Sequence, residues 1–227
     1  MTNPLRDKNL LRSGVVSGWW SVIVLGAVVA CGGKKSGQTP VPEPTRPLPI
    51  AGLASVKVPV LPLTLIAADE TLRWPQFANQ RAALTAADSV VGVLLPARAP
   101  EVTWVLPEEL RRQARRSPTF AANPDQLGSA ILRGARVGDF MPDPLRSELR
   151  ALVAIADARF ALVPAQLVFR RDTMPGTPAG TGTAELTAVI VDARLGRVNW
   201  RTVARGEGPD PWTALTRAVK ALTPGLP

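Results

Sequence analysis

The chain has 227 residues, with 27 Lys and Arg against 18 Asp and Glu, a net charge of +9. It has one cysteine, no histidine and no tyrosine, which excludes a Ser-His-Asp triad, a Cys-His pair, an intrachain disulfide and the usual His/Cys zinc sites within one chain. An apolar fraction of 46% is ample for a core, and neither a cofactor nor a metal is expected.

Residues 1–12 carry Arg6, Lys8 and Arg12 against Asp7, and residues 13–30 carry no charge. A basic start, an apolar centre and a small residue before a boundary describe a secretory signal peptide. Its positive end stays on the cytoplasmic side. The uncharged run is also about the shortest that spans a bilayer uncleaved, so a retained anchor is the alternative. The boundary Val28-Val29-Ala30-Cys31 resembles the lipobox of bacterial lipoproteins. That resemblance implies a diacylglyceryl thioether on Cys31, cleavage just before it, and an acylated new amino terminus carrying palmitate-type chains. Several acyl chains anchor far more firmly than one. Gly32 stands where Asp favours inner-membrane retention in those lipoproteins, which implies the periplasmic face of the outer membrane, with inner membrane or cell surface as alternatives. The expected organisation is a signal peptide over 1–30, the lipidated Cys and a Pro/Gly-rich tether over 31–50, and a single α/β domain over 51–227. A tether of this composition reaches about 3 Å per residue.

Lys57–Ile66 reads as the first strand, and its prolines demote part of it to an edge. Residues 76–95 have a helical pattern that Pro96 is expected to stop. Glu101–Val105 reads as a short strand. Pro107 opens a helix, PEELRRQARR, with acids in its first turn and bases in its last, as the helix dipole favours. Asn123-Pro124 predicts a short helix through Leu132. Asp143-Pro144 repeats that start signal before Leu145, Leu149, Leu152, Val153 and Ala156, one face at a 3.6-residue period. Arg159–Phe169 reads as a strand with Pro164 as its kink or edge point, and residues 173–183 as a loop.

Two further strands follow. Leu186, Ala188 and Ile190 share one face, and Thr187, Val189 and Val191 the other. Val198, Trp200, Thr202 and Ala204 are expected on one face of the next strand. Asp192–Gly196 is the hairpin turn, with Gly196 at its left-handed position. Asp210-Pro211 starts the last helix, with a stripe of Trp212, Leu215, Val219 and Leu222. The sum is an α/β domain, a mixed sheet with flanking helices.

The order resembles that of the curli-secretion lipoproteins (CsgG). "VLPL", a helix and "WVLPEEL" are similar to that family's opening, "IADARFALVPAQLVF" to its helix and strand, "LTAVIVDARLGRVNWRTVARG" to its strand, turn and strand, and "PWTALTRAVKAL" to its closing helix. The amino-terminal domain of TolB and the lipoprotein activators of penicillin-binding proteins share this broad fold. Leu195 stands where the curli family has a Thr, and "VLP" stands for "VLER". The amphipathic hairpins from which that family builds its barrel are not seen, and a pore is not expected.

Candidate chemistry is sparse. The loop PGTPAGTGT lacks the following Lys-Ser/Thr of a phosphate loop and does not match GxGxxG. Asp157 and Asp192 lie at strand boundaries, where turn and capping roles explain them as well as acid–base work does. Trp104, Trp200 and Trp212 are expected in the core. Trp74, beside Pro75, and the cluster Arg111, Arg112, Arg115 and Arg116 are the candidate partner contacts, although a cluster of this kind is most often a solvated helix face. The expectation is a non-enzymatic binding or envelope-assembly module. It is held to the membrane through Cys31 and docks an envelope protein rather than nucleic acid. An oligomeric secretion scaffold and a ligand-binding or hydrolytic enzyme are the alternatives.

Overall fold

The computed structural model describes residues 44–172 and 180–223. The stretch expected as one strand is split in two, β1 (Lys57–Pro59) and β2 (Ile66–Ala68). Pro59 and Pro62 have no N–H to give a ladder, and between the strands the Leu63 N–H goes to the Asp88 carboxylate at 2.9 Å. The helix α1 (Gln80–Arg98) is capped by Asn79, whose side chain accepts the Ala82 N–H. It continues through Pro96 rather than ending before it. The proline gives up one backbone bond, but the last turn is fixed from outside. Leu95 and Ala99 are buried, and the Arg98 guanidinium holds the Thr223 carbonyl at 2.8 and 3.0 Å.

The short β3 (Thr103–Val105) pairs in parallel with β1. Next come α2 (Pro107–Arg116) and two 3₁₀ segments, Pro124–Gln126 and Ser129–Gly134, in place of the single helix expected through Leu132. Asn123 does accept the Asp125 N–H, but Leu127 is extended and ends the turn there. The helix α3 (Leu145–Ile155) follows a cis Asp143-Pro144 bond. Asp143 does not cap its backbone; its carboxylate holds Arg146 at 2.6 Å.

Three long strands build the main sheet: β4 (Phe160–Arg171), β5 (Gly182–Asp192) and β6 (Arg197–Gly208). They form an antiparallel meander, and β2 adds in parallel to β4, so the order is β2-β4-β5-β6. A bridge from Val60 to Leu162 ties the β1–β3 pair to it. The β4 register shifts at Pro164, as its missing donor requires. A second bulge lies at Asn199 and overturns the simple alternation expected for β6. Val198 faces Val191 in one core, whereas Trp200 pairs with Ile190 and packs against the other. Asp192–Gly196 forms the expected turn, with Gly196 at φ 70°.

The closing helix α4 (Pro211–Leu222) is capped by Asp210, which accepts the N–H groups of Trp212 and Thr213. It covers one sheet face together with α1, through Ala87, Val91, Leu95, Leu215 and Val219 against Leu167, Phe169, Leu186 and Ile190. The other face packs Val163, Val189 and Val191 against Leu110, Leu149, Leu152 and Val153 of α2 and α3. The sheet is therefore the middle of three layers. Residues 45–50, assigned above to the tether, lie packed against this body. Leu48 is buried, its N–H reaches the Leu222 carbonyl at 2.9 Å, and the Arg46 N–H reaches the Thr202 hydroxyl at 2.7 Å. Among the described residues no helix is long and apolar enough to cross a membrane.

Candidate functional site

Two of the α2 arginines, Arg111 and Arg115, line a cleft of about 600 Å³ whose walls also include Leu63, Arg81, Leu84, Glu108 and Asp125. A second hollow of about 500 Å³ shares Arg81, Arg111 and Arg115 with it. Helical geometry divides the four arginines by role. Arg111 lies next to the buried Leu110 and turns inward, its side chain only 18% exposed. Its guanidinium meets Asp88 at 2.6 Å and Asp125 at 2.7 Å, so one cation joins α1, α2 and the 124–126 turn. The other Asp88 oxygen takes the Leu63 N–H.

Burial pushes the Asp88 carboxyl above its usual range, against the lowering effect of the Leu63 N–H and Arg111. For Arg111, burial works against the charge, but its hydrogen bonds to Asp125 and Asp88 dominate and hold it more firmly protonated than usual. This arrangement locks the fold. Every oxygen of Asp88 is committed, which leaves it unsuited to shuttling protons.

The other three arginines are exposed. Arg112 is tied to Glu109 one turn back, at 3.0 Å from Nε and through a second contact from Nη2. Its hydrogen bond, with that of Gln113, outweighs desolvation and holds Glu109 below the usual carboxylate range. Arg115 lies 3.6 Å from Glu108. Arg115 and Arg116 thus supply the outward charge, with Arg81 on the opposite wall of the cleft. Arg81, Asp88 and Asp125 were not singled out in the sequence; each is an isolated charge there, and only the packing of α1 on α2 assembles them.

Trp74 is not the exposed contact expected. It is half-buried, stacked on Phe77 with 6.2 Å between centroids and edge-on to Phe169 at 5.5 Å. Its indole N–H reaches the Gly180 carbonyl at 3.2 Å. Asp192 is fully buried and serves the hairpin turn, accepting the N–H groups of Arg194 (2.9 Å) and Leu195 (3.0 Å) and the Arg159 guanidinium (2.8 Å). Asp157 is exposed and pairs with Lys57 at 2.9 Å. Cys31 lies outside the described residues.

No family model matches the chain, and no curated protein does. Among solved structures it is similar to the PelC dodecamer from Paraburkholderia phytofirmans, at 14% identity over 80% of this chain and 96% of that one, with a TM-score of 0.35. It is similar to the LpoB C-terminal domain from Salmonella enterica, at 12% identity over 68% and 83%, with a TM-score of 0.36. It is also similar to lipoprotein GNA1162 from Neisseria meningitidis, at 16% identity over 67% and 81%, with a TM-score of 0.30.

Proposed function

We propose that this chain is a lipid-anchored envelope protein whose α/β domain works by non-enzymatic binding or assembly, from the periplasmic face of the outer membrane. The observation that carries the reading is Val28-Val29-Ala30-Cys31, at the end of a charge-free run that follows a basic start. A thiol at that point has an evident use as a thioether attachment, and the rest of the chain uses no cysteine at all. Among the described residues, the domain is joined near its start by Thr45, whose hydroxyl reaches the Val203 carbonyl at 3.2 Å, and by Arg46.

The binding half of the reading is supported by the α1–α2 cleft. Its accessible guanidiniums, Arg81 and Arg115, suit an acidic face on an envelope protein, while Arg111 keeps the walls together. Metabolic labelling with a radioactive fatty acid tests the anchor. The wild-type chain should take up label and Cys31→Ser should not; label in Cys31→Ser would refute the anchor. Purification of the tagged chain from its own envelope tests the rest, and the expected outcome is one partner whose recovery falls with Arg81→Glu and Arg115→Glu.

A further inference from the structure

The β5–β6 turn gathers arginines from three elements. Arg150 of α3 reaches across to it, with its Nε 3.4 Å from the Ala193 carbonyl and its Nη2 3.2 Å from that of Arg194. Arg159, at the entry to β4, grips Asp192 through Nε at 2.8 Å and Nη2 at 2.7 Å. Arg194 is exposed in the turn itself. All three line one cavity of about 450 Å³, whose remaining lining is Val153, Ala154, Ala158 and Ala193. No carboxylate lines it. Asp192 is used up by Arg159 and the turn's own N–H groups. Arg146, pressed against Gly196, is balanced by Asp143. Among the described residues neither Arg150 nor Arg194 has a carboxylate within salt-bridge distance.

Arg150, held only by two neutral carbonyls, and the exposed Arg194 stand at a hollow with small apolar walls and present the forked donors that a phosphate accepts, while Arg159 is held in its wall by Asp192. The surroundings favour a phosphate carried on a bilayer. Leu195, next to Arg194, is 56% exposed, and Phe140 is 61% exposed with its ring 4.1 Å from the Arg197 guanidinium. Phe140 bridges to Arg197 at the same end of β6. Apolar tips set among arginines match the headgroup boundary of an anionic leaflet, where the rings and methyls enter and the cations meet phosphates. A free phosphate has no use for Leu195 or Phe140.

We propose that the cavity between Arg150 and Arg194, walled by the Asp192-bound Arg159, is a docking site for the phosphates of an anionic lipid surface, with the exposed Leu195 and Phe140 of the same hairpin end entering the surface beside it. The proposal rests on the membrane-anchored reading above. Its test is amide exchange over residues 193–197 of the full chain in nanodiscs, with phosphatidylcholine alone or mixed with phosphatidylglycerol. Entry into neutral discs depends on the anchor and not on the cavity, so failure to enter them would refute the anchored reading instead. In the mixed discs the turn should exchange more slowly. Arg150→Gln with Arg194→Gln should remove that difference by weakening docking roughly thirtyfold, at about one surface-bound cation's worth per arginine. Arg194→Gln alone, at an exposed side chain, should remove part of it with an unchanged melting temperature. Arg115→Gln with Arg116→Gln changes the charge equally and should leave the protection intact. Equal exchange in both discs, equal loss in the α2 variant, or full protection by inorganic phosphate in neutral discs would each overturn the proposal.

Discussion

Asp192→Ala should be among the most damaging single changes outside the apolar core, and Asp192→Asn should be much milder. The carboxylate is fully buried and takes three groups of donors: the N–H of Arg194, the N–H of Leu195, and the Arg159 guanidinium. Hydrogen bonds to a charged group contribute about 1.5–3 kcal/mol each. Arg159 is half exposed and regains water when released, so its share is at most about 1 kcal/mol. The carboxylate's own desolvation is relieved in the variant and offsets part of the loss. The net expectation is about 2–4 kcal/mol for alanine. Asparagine keeps an oxygen for the two backbone donors and gives up only the ion pair, for about 1 kcal/mol.

Urea denaturation of the chain from Gly32 onward, followed by tryptophan fluorescence, measures both. The pH profile gives a second reading. Burial acts to raise the Asp192 carboxyl, but its hydrogen bonds with Arg159, Leu195 and Arg194 prevail and hold it below the usual range. A group depressed in the folded state contributes its stability above its unfolded value, near 4, and loses it as the pH falls through the folded value. Wild type should therefore lose this increment below about pH 4, and Asp192→Asn should not. Equal losses for the two variants at pH 7 would show that the ion pair, rather than the backbone capping, holds the turn, and would refute the argument.

Gly206→Ala should destabilise by about 3 kcal/mol or more, because a Cβ there would lie 2.2 Å from the Ala218 nitrogen and 2.4 Å from the Ala214 carbonyl oxygen, both of them helix backbone. Gly128→Ala, with open space around it, should stay within about 0.5 kcal/mol in the same denaturation assay. Arg111→Met should cost about 3–5 kcal/mol at pH 7 by leaving Asp88 buried without its counter-charge. Burial already raises Asp88 in the folded state, so this variant should become less stable as the pH rises from about 4 towards 7. Adding Asp88→Asn should flatten that slope.

The antiparallel half of the fold was legible because its signals are local. Leu186–Val191 alternates cleanly, Gly196 marks the turn, and the Asp210 cap depends only on residues two and three positions on. The elements that departed from expectation depend on distant partners. Pro96 sits inside a helix because Thr223, far along the chain, holds the last turn through Arg98. The Asn199 bulge is invisible to a period-two pattern, since Val198 and Trp200 are both apolar and only the two separate cores show that they face opposite ways. Trp74 looked loop-borne beside Pro75, yet Phe77 and Phe169 draw it inward. At the candidate cleft, the arginine run was visible while the acids that divide its roles were not.

The charge of the chain takes on a different meaning once it is sorted by partner. Read as a sequence, the arginines are dispersed and argue for little beyond a solvated surface. In the fold, Arg111, Arg112, Arg146, Arg159 and Arg170 each meet a carboxylate within 3 Å. Those charges hold elements together and offer little to a ligand. Among the described residues, the guanidiniums left without such a partner at the β5–β6 turn, Arg150 and Arg194, come from segments more than forty residues apart. Topology alone sets them around one hollow, next to the exposed Leu195. An excess of positive charge spread evenly would bind any polyanion weakly and reversibly. An excess focused at one end, with apolar residues beside it, favours one orientation against a charged surface. On the anchored reading proposed above, the orientation of the domain on a membrane follows from where Arg150 and Arg194 lie rather than from how many arginines the chain contains.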